Sequence, residues 1–61
     1  MYYCVLRIAT FRVVYCGPHE MAAARALLPG STFGKGTSEP EAHQQAVARC
    51  KFHREQPTWK P

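Results

Sequence analysis

The chain has 61 residues, of which eight are Lys or Arg and four are Asp or Glu, so that its net charge is +4. A chain of this length forms one domain that buries only about 60% of the surface exposed by its unfolded form, which excludes doubly wound nucleotide-binding folds and barrel enzymes. The excess of cations favours an anionic partner. Because the sequence has no Asp and no Ser-His-Asp set, we expect that the protein is not an enzyme.

Residues 2–16 are dense in β-branched and aromatic side chains, which predicts a hairpin of two strands with its turn near Ala9 and Thr10. Apolar side chains occupy both sets of alternating positions along the first strand. Its two faces carry Cys4, Leu6 and Ile8, and Tyr3, Val5 and Arg7. We therefore expect both faces of the sheet to be covered.

Gly17 and Pro18 predict the end of the second strand and the start of a helix, with Pro18 at the first helical position and Glu20 in the first turn. The expected buried stripe of this helix is Met21, Ala24, Leu27 and Leu28. The dipeptide 29–30 (PG) ends the helix, and residues 31–35 suit a third strand at the edge of the sheet.

Residues 38–41 (SEPE) form a capping box, which is the clearest local signal in the chain and predicts that a second helix begins there. Helical spacing predicts the side of this helix that faces the sheet. That side consists of Ala42, Ala46, Arg49, Cys50 and His53. Residues 56–61 contain two prolines and are expected to form an extended C-terminal tail.

These elements predict one α+β domain over residues 1–55, in the order strand, strand, helix, strand, helix, with both helices on one face of a small antiparallel sheet. The other face would then need a partner. Strict alternation places on it Tyr3, Val5, Val14 and Cys16. The simplest cover is a second copy of the chain, so we expect a homodimer with Tyr3, Val5 and Val14 in its interface.

The most apolar run, residues 22–28, is interrupted by Arg25, so we expect neither a signal peptide nor a membrane span, and a cytoplasmic protein. Three cysteines are an odd number for a disulfide framework. In the cytoplasm this predicts reduced thiols.

The tripeptide 28–30 (LPG) and residues 36–42 (GTSEPEA) resemble a pattern of HicB-like antitoxins, in which L-P-G precedes a strand and G-x-T-x-x-E-A opens a helix. This resemblance covers the region from Leu28 to Ala46 and implies a small sheet-and-helix domain that binds and silences a toxin ribonuclease. Residues 34–47 also resemble the last strand and helix of a double-stranded RNA-binding domain, with Glu39 and Pro40 at the places of that family's paired lysines.

We therefore expect a small cytoplasmic binding or regulatory protein that acts through a protein–protein interface, either antitoxin-like or a phage-type inhibitor. The alternative is a nucleic-acid-binding module that uses the basic C-terminal helix. Cations and aromatic rings alternate there, as on surfaces that meet phosphates and stack on bases. The candidate binding residues are Arg49, Lys51, Phe52, Arg54, Trp59 and Lys60.

A second alternative is a small zinc-binding or thiol-dependent protein. Residues 16–19 (CGPH) resemble the C-G-P-C motif of thioredoxin-like proteins, with His19 at the place of the second cysteine. Two C-x-x-H pairs supply four ligands of the kinds that zinc accepts. The candidate zinc set is Cys16, His19, Cys50 and His53. Apart from this possible zinc site, we expect no cofactor and no metal.

Overall fold

The structure is a computed structural model that describes residues 1–57. Its elements are β1 (Tyr2–Arg7), β2 (Val13–Gly17), α1 (Glu20–Ala26), β3 (Ser31–Gly36) and α2 (Glu39–Glu55). The strands form an antiparallel sheet in the order β2-β1-β3. The predicted α+β class and the predicted order of elements are confirmed, and β3 is an edge strand.

The two edges of β1 are paired differently. Along β3 the register is continuous, from Tyr2 opposite Gly36 to Arg7 opposite Ser31. Along β2 the register shifts: Val5 lies opposite Tyr15 and Leu6 lies opposite Val13, so that Val14 is left over as a bulge. The prediction that side chains alternate strictly along β2 was therefore wrong. The extra residue places the side chains that follow it, Tyr15 and Cys16, on the faces opposite to those predicted.

The core lies between α2 and one face of the sheet. It consists of Cys4, Leu6, Ile8, Ala42, Ala46 and Cys50. Of the predicted side of α2, Ala42, Ala46 and Cys50 are therefore confirmed, whereas Arg49 is exposed and His53 is only half-buried. The helix approaches β3 so closely that a Cβ at Gly34 would overlap the backbone nitrogen of Ala46 and would lie 2.5 Å from the carbonyl oxygen of Ala42. Glycine on the strand and alanines on the helix are what permit this approach.

The first helix, α1, packs on the opposite face of the sheet. Its Ala23 is 6% exposed and covers the side of the sheet on which Val5 is fully buried. The backbone N–H of His19, the N-cap of α1, donates to the hydroxyl of Tyr15 at 3.0 Å and fixes the helix above that face. The expectation of two helices on one face was therefore wrong. Since β2 and β3 lie on either side of β1 and are both antiparallel to it, the connection that contains α1 has to cross one face of β1, and α2 takes the other.

The details of α1 also differ from the expectation. The helix begins at Glu20, so Pro18 precedes it instead of opening it. The buried residue is Ala23, whereas Met21 is 69% exposed and Leu28 is 56% exposed. A short helix that lies on large side chains of the sheet packs through its smallest residues, because these allow the closest approach.

One of the two hydrogen bonds of the predicted capping box is present at the start of α2. The hydroxyl of Ser38 accepts a hydrogen bond from the backbone N–H of Glu41 at 3.3 Å. The carboxylate of Glu41 accepts a bond from the hydroxyl of Thr37 at 2.9 Å. At its other end α2 stops at Glu55, and the last four residues of the predicted tail lie outside the described part of the chain. Within residues 1–57, neither helix has the length and apolar character needed to cross a membrane.

Replacing Gly34 by alanine tests the close contact between β3 and α2. We expect Gly34→Ala to lower the free energy of unfolding by about 3 kcal/mol, because the added Cβ meets backbone atoms that cannot rotate away. Gly30→Ala is the matched control: Gly30 has a φ of +87° and open space around its Cβ position, so only backbone strain of about 1 kcal/mol is expected. Equal urea midpoints for the two variants would contradict the close contact.

Candidate functional site

A groove lies between α1 and the β3 side of the sheet. The helix packs on β1 and β2 and not on β3, so Phe33 is only half-buried and Lys35 is exposed on that face. The sheet contributes Tyr3, Phe33 and Lys35 to the groove, and the helix contributes Glu20, Ala23 and Leu27. Its volume is about 270 Å³. We refer to it as the α1–β3 groove.

Aromatic rings and cations meet on the sheet side of this groove. Lys35 lies directly opposite Tyr3 in the register of β1 and β3. The guanidinium carbon of Arg49 lies 4.7 Å from the centre of the Phe33 ring, which is a cation–π distance. Because Arg49 belongs to α2 on the other face, its side chain reaches Phe33 around the edge strand. The sheet therefore presents two rings and two positive charges together.

The helix side of the groove carries the opposite charge. The hydroxyl of Tyr3 donates to the carboxylate of Glu20 across the groove, at 3.5 Å. Glu20 lies in the first turn of α1, where a negative charge is favoured by the helix dipole. The positive charge is thus displaced toward the outer edge of β3, and an anionic group would be held there and not beneath the helix.

The candidate residues on α2 do not all point in one direction. Arg49 and Arg54 are five positions apart, which is about 140° around a helix. Arg49 stacks on Phe33 at one edge of the sheet, and Arg54 lies 5.0 Å from the ring of Phe11 in the β1–β2 turn. Lys51 is exposed between the two arginines along the chain.

Phe52 is 62% exposed and makes an edge contact with the ring of His53 at 6.1 Å. Trp59 and Lys60 lie outside the described residues. The sequence analysis missed Phe33 and Lys35, and it gave Tyr3 only as a residue of the dimer interface. The sequence of β3 could have indicated them. Phe33 and Lys35 alternate with glycines there, so that they share one face of the strand.

The residues predicted for the dimer interface are placed as follows. Val5 has no exposed surface within the single chain. Tyr3 is half-buried beside the α1–β3 groove, and Val14 is 44% exposed at the bulge. Cys16 lies opposite Cys4 and therefore on the α2 face. The homodimer stays a prediction, and the surface available for it on this face is smaller than the sequence indicated.

The four zinc candidates are divided between the two faces of the sheet. Cys16 and Cys50 lie on the α2 face, whereas His19 caps α1 on the opposite face. His53 is half-buried in the last turn of α2. Within residues 1–57, no group of three or more His, Cys, Asp or Glu side chains is placed to hold a metal ion.

The two buried thiols, Cys4 and Cys50, have raised pKa values. Burial raises the pKa of Cys4 to about 12, and the hydrogen bond of its thiol with the Cys16 sulfur contributes to the same shift. Burial also raises the pKa of Cys50, against a smaller lowering effect of the positive charge of Arg54. The buried thiols are therefore held in the protonated form.

No family model, curated protein or solved structure matches the chain. Its function is therefore inferred from the residues of the α1–β3 groove and from their chemistry.

The raised thiol pKa values predict a loss of stability in alkali. The folded state keeps Cys4 protonated, while the unfolded chain ionises it above its usual pKa near 9. The unfolded state then binds fewer protons, so the free energy of unfolding falls as the pH rises from 9 toward 12. Urea unfolding between pH 8 and pH 11 measures this effect. Cys4→Ala should be less stable at pH 8 and should show a shallower decline, and an equal decline would contradict the prediction.

Proposed function

We propose that the protein binds a nucleic acid strand in the α1–β3 groove. The observation that carries the proposal is the cluster of two rings, Tyr3 and Phe33, with two cations, Lys35 and Arg49, on one side of that groove. Aromatic rings that stack on bases beside cations that hold phosphates are the common means of binding single strands. The anionic partner is the class that the basic composition favours. Of the predicted binding residues only Arg49 of α2 is kept, and the other three lie on the sheet.

The volume of the groove suits a single base of a nucleic acid strand better than a whole small molecule. Sites for whole small molecules usually have volumes of about 300–1,000 Å³, and this groove has about 270 Å³. One base fits such a space. The Phe33 ring has Arg49 on it and lines the groove, so a base stacked on it would lie close to a positive charge.

The charge distribution supports a defined orientation of the strand. Lys35 and Arg49 stand at the outer edge of β3, while Glu20 stands at the helix side and accepts from Tyr3. Phosphates would be attracted to the outer edge and repelled from the helix. A base would then enter the groove while the backbone of the strand follows β3.

The test is fluorescence anisotropy with labelled single-stranded DNA, single-stranded RNA and a duplex, over a series of salt concentrations. The double variant Lys35→Gln, Arg49→Gln should weaken strand binding about tenfold or more at low salt and reduce the salt slope by roughly 0.7 for each phosphate that is no longer neutralised. The variant Phe33→Leu keeps an apolar side chain and removes the ring. It should lose roughly 1–3 kcal/mol of binding free energy.

The matched control is the double variant Arg25→Gln, Lys51→Gln, which removes the same net charge from exposed positions outside the groove lining. We expect its affinity to change less than about twofold, since distant exposed charges are screened. Equal losses of affinity in the two double variants would show that the strand is attracted by the overall positive charge and not by a defined site. Absence of binding by the unmodified protein at low salt would contradict the proposal outright.

A protein partner is the second candidate, and the apolar surface of α1 favours it. Met21, Leu27 and Leu28 are 69%, 40% and 56% exposed. The resemblance to HicB-like antitoxins would make that partner a small toxin ribonuclease, and the predicted homodimer would make it a second copy.

Light scattering at micromolar concentration tests the second copy. A dimer that Met21→Ser, Leu28→Ser converts to a monomer would support an interface through α1. A monomeric unmodified protein would contradict the homodimer, and it would leave strand binding unaffected because that proposal requires only one chain.

A further inference from the structure

We propose that Cys4 and Cys16 form a disulfide-bonding pair across β1 and β2, and that small-molecule disulfides oxidise it in the folded protein. The two residues lie directly opposite each other in the register of the two strands. Both side chains lie on the α2 face, where Cys4 belongs to the core and Cys16 packs against it.

The hydrogen-bond pattern of β1 identifies the kind of pair. The N–H of Arg7 donates to Arg12 on the β2 side, and the N–H of Ile8 donates to Gly30 on the β3 side. Because these directions alternate along a strand, the backbone groups of Cys4 point toward β3. Cys4 and Cys16 are therefore a non-hydrogen-bonded pair.

In antiparallel sheets the Cα atoms of such a pair are about 4.5 Å apart. Disulfides span Cα distances of about 4.4–6.8 Å. The Cα separation expected for this pair therefore falls within the range that a disulfide spans, at its lower end.

The pair has one accessible member and one buried member. Cys4 has no exposed surface, whereas Cys16 is half-buried. Cys16 lines a shallow depression together with Val13, Glu39, Pro40 and His43. Only the Cys16 sulfur can meet a molecule from solution. Burial also raises the pKa of Cys4, so Cys16 is the thiol that reacts first.

The reaction proceeds in two exchange steps. The Cys16 thiolate attacks one sulfur of the small disulfide, forms a mixed disulfide and releases one small thiolate. Cys4 then attacks the Cys16 sulfur and gives its proton to the second small thiolate as that group leaves. Two cysteine thiols are oxidised, and one disulfide is reduced to two thiols.

Cys50 is the competing partner, since it belongs to the same core cluster as Cys4. It approaches from α2 and is not opposite either cysteine in a strand register. It has no exposed surface, so a small disulfide in solution does not reach it. The expected product therefore leaves Cys50 as a free thiol.

The experiment treats the folded protein with oxidised glutathione, alkylates the remaining thiols and digests the product with trypsin. We expect two of the three thiols to be consumed, and the peptide 1–7 to be linked to the peptide 13–25. Cys50→Ala should give the same linked peptides. Cys16→Ala should give no internal disulfide, and circular dichroism of this half-buried variant checks that it is folded.

Oxidation in denaturing guanidinium chloride supplies the control for geometry. There the peptide that contains Cys50 should appear among the linked products, because all three thiols are equally free to meet. If the folded protein links Cys50, or if it keeps glutathione on Cys16 without closing to Cys4, the proposal is wrong. Since the unmodified protein decides this point, a failure of either variant to fold does not affect the test.

Discussion

The contact between the backbone of β3 at Gly34 and the backbone of α2 is the constraint on which the rest of the structure depends. It requires Ala42 and Ala46 on the helix, because a larger side chain would hold the two elements apart. The larger side chains of the core are Cys4 and Leu6 of β1, Ile8 just after β1, and Cys50 of α2. A chain with few large apolar residues thus closes a dry interface by bringing small residues together.

The same constraint determines what the opposite face can do. Two of the three β3 positions that face α2 are glycines and the third is the buried Thr32, whereas the larger side chains Phe33 and Lys35 lie on the other side. The helix on that side, α1, is only seven residues long and covers β1 and β2. The outer part of the face stays open, and Arg49 reaches it from α2. The α1–β3 groove is therefore a consequence of how tightly the other face is packed.

Local signals in the sequence predicted the elements and the α2 core. Ser38 marks the start of α2, and the spacing of Ala42, Ala46 and Cys50 gives its buried side. The side on which α1 packs follows from the connection across β1, which no local pattern encodes. The bulge at Val14 has no Gly or Pro to mark it, although it reverses the face of Cys16. The groove could not be predicted for the same reason, because its residues come from three elements whose relative placement is tertiary.

The groove and the cysteine pair share β1 but not its partners. Tyr3 projects toward α1 and meets Lys35 of β3, whereas Cys4 projects toward α2 and meets Cys16 of β2. Coupling between two sites is reciprocal. Oxidation can change the affinity for a strand only as far as it changes the contacts that the strand makes. A disulfide that does not move β1 or β2 leaves the surroundings of Phe33, Lys35 and Arg49 as they are. Strand binding and oxidation are therefore expected to be independent, with free energies that add.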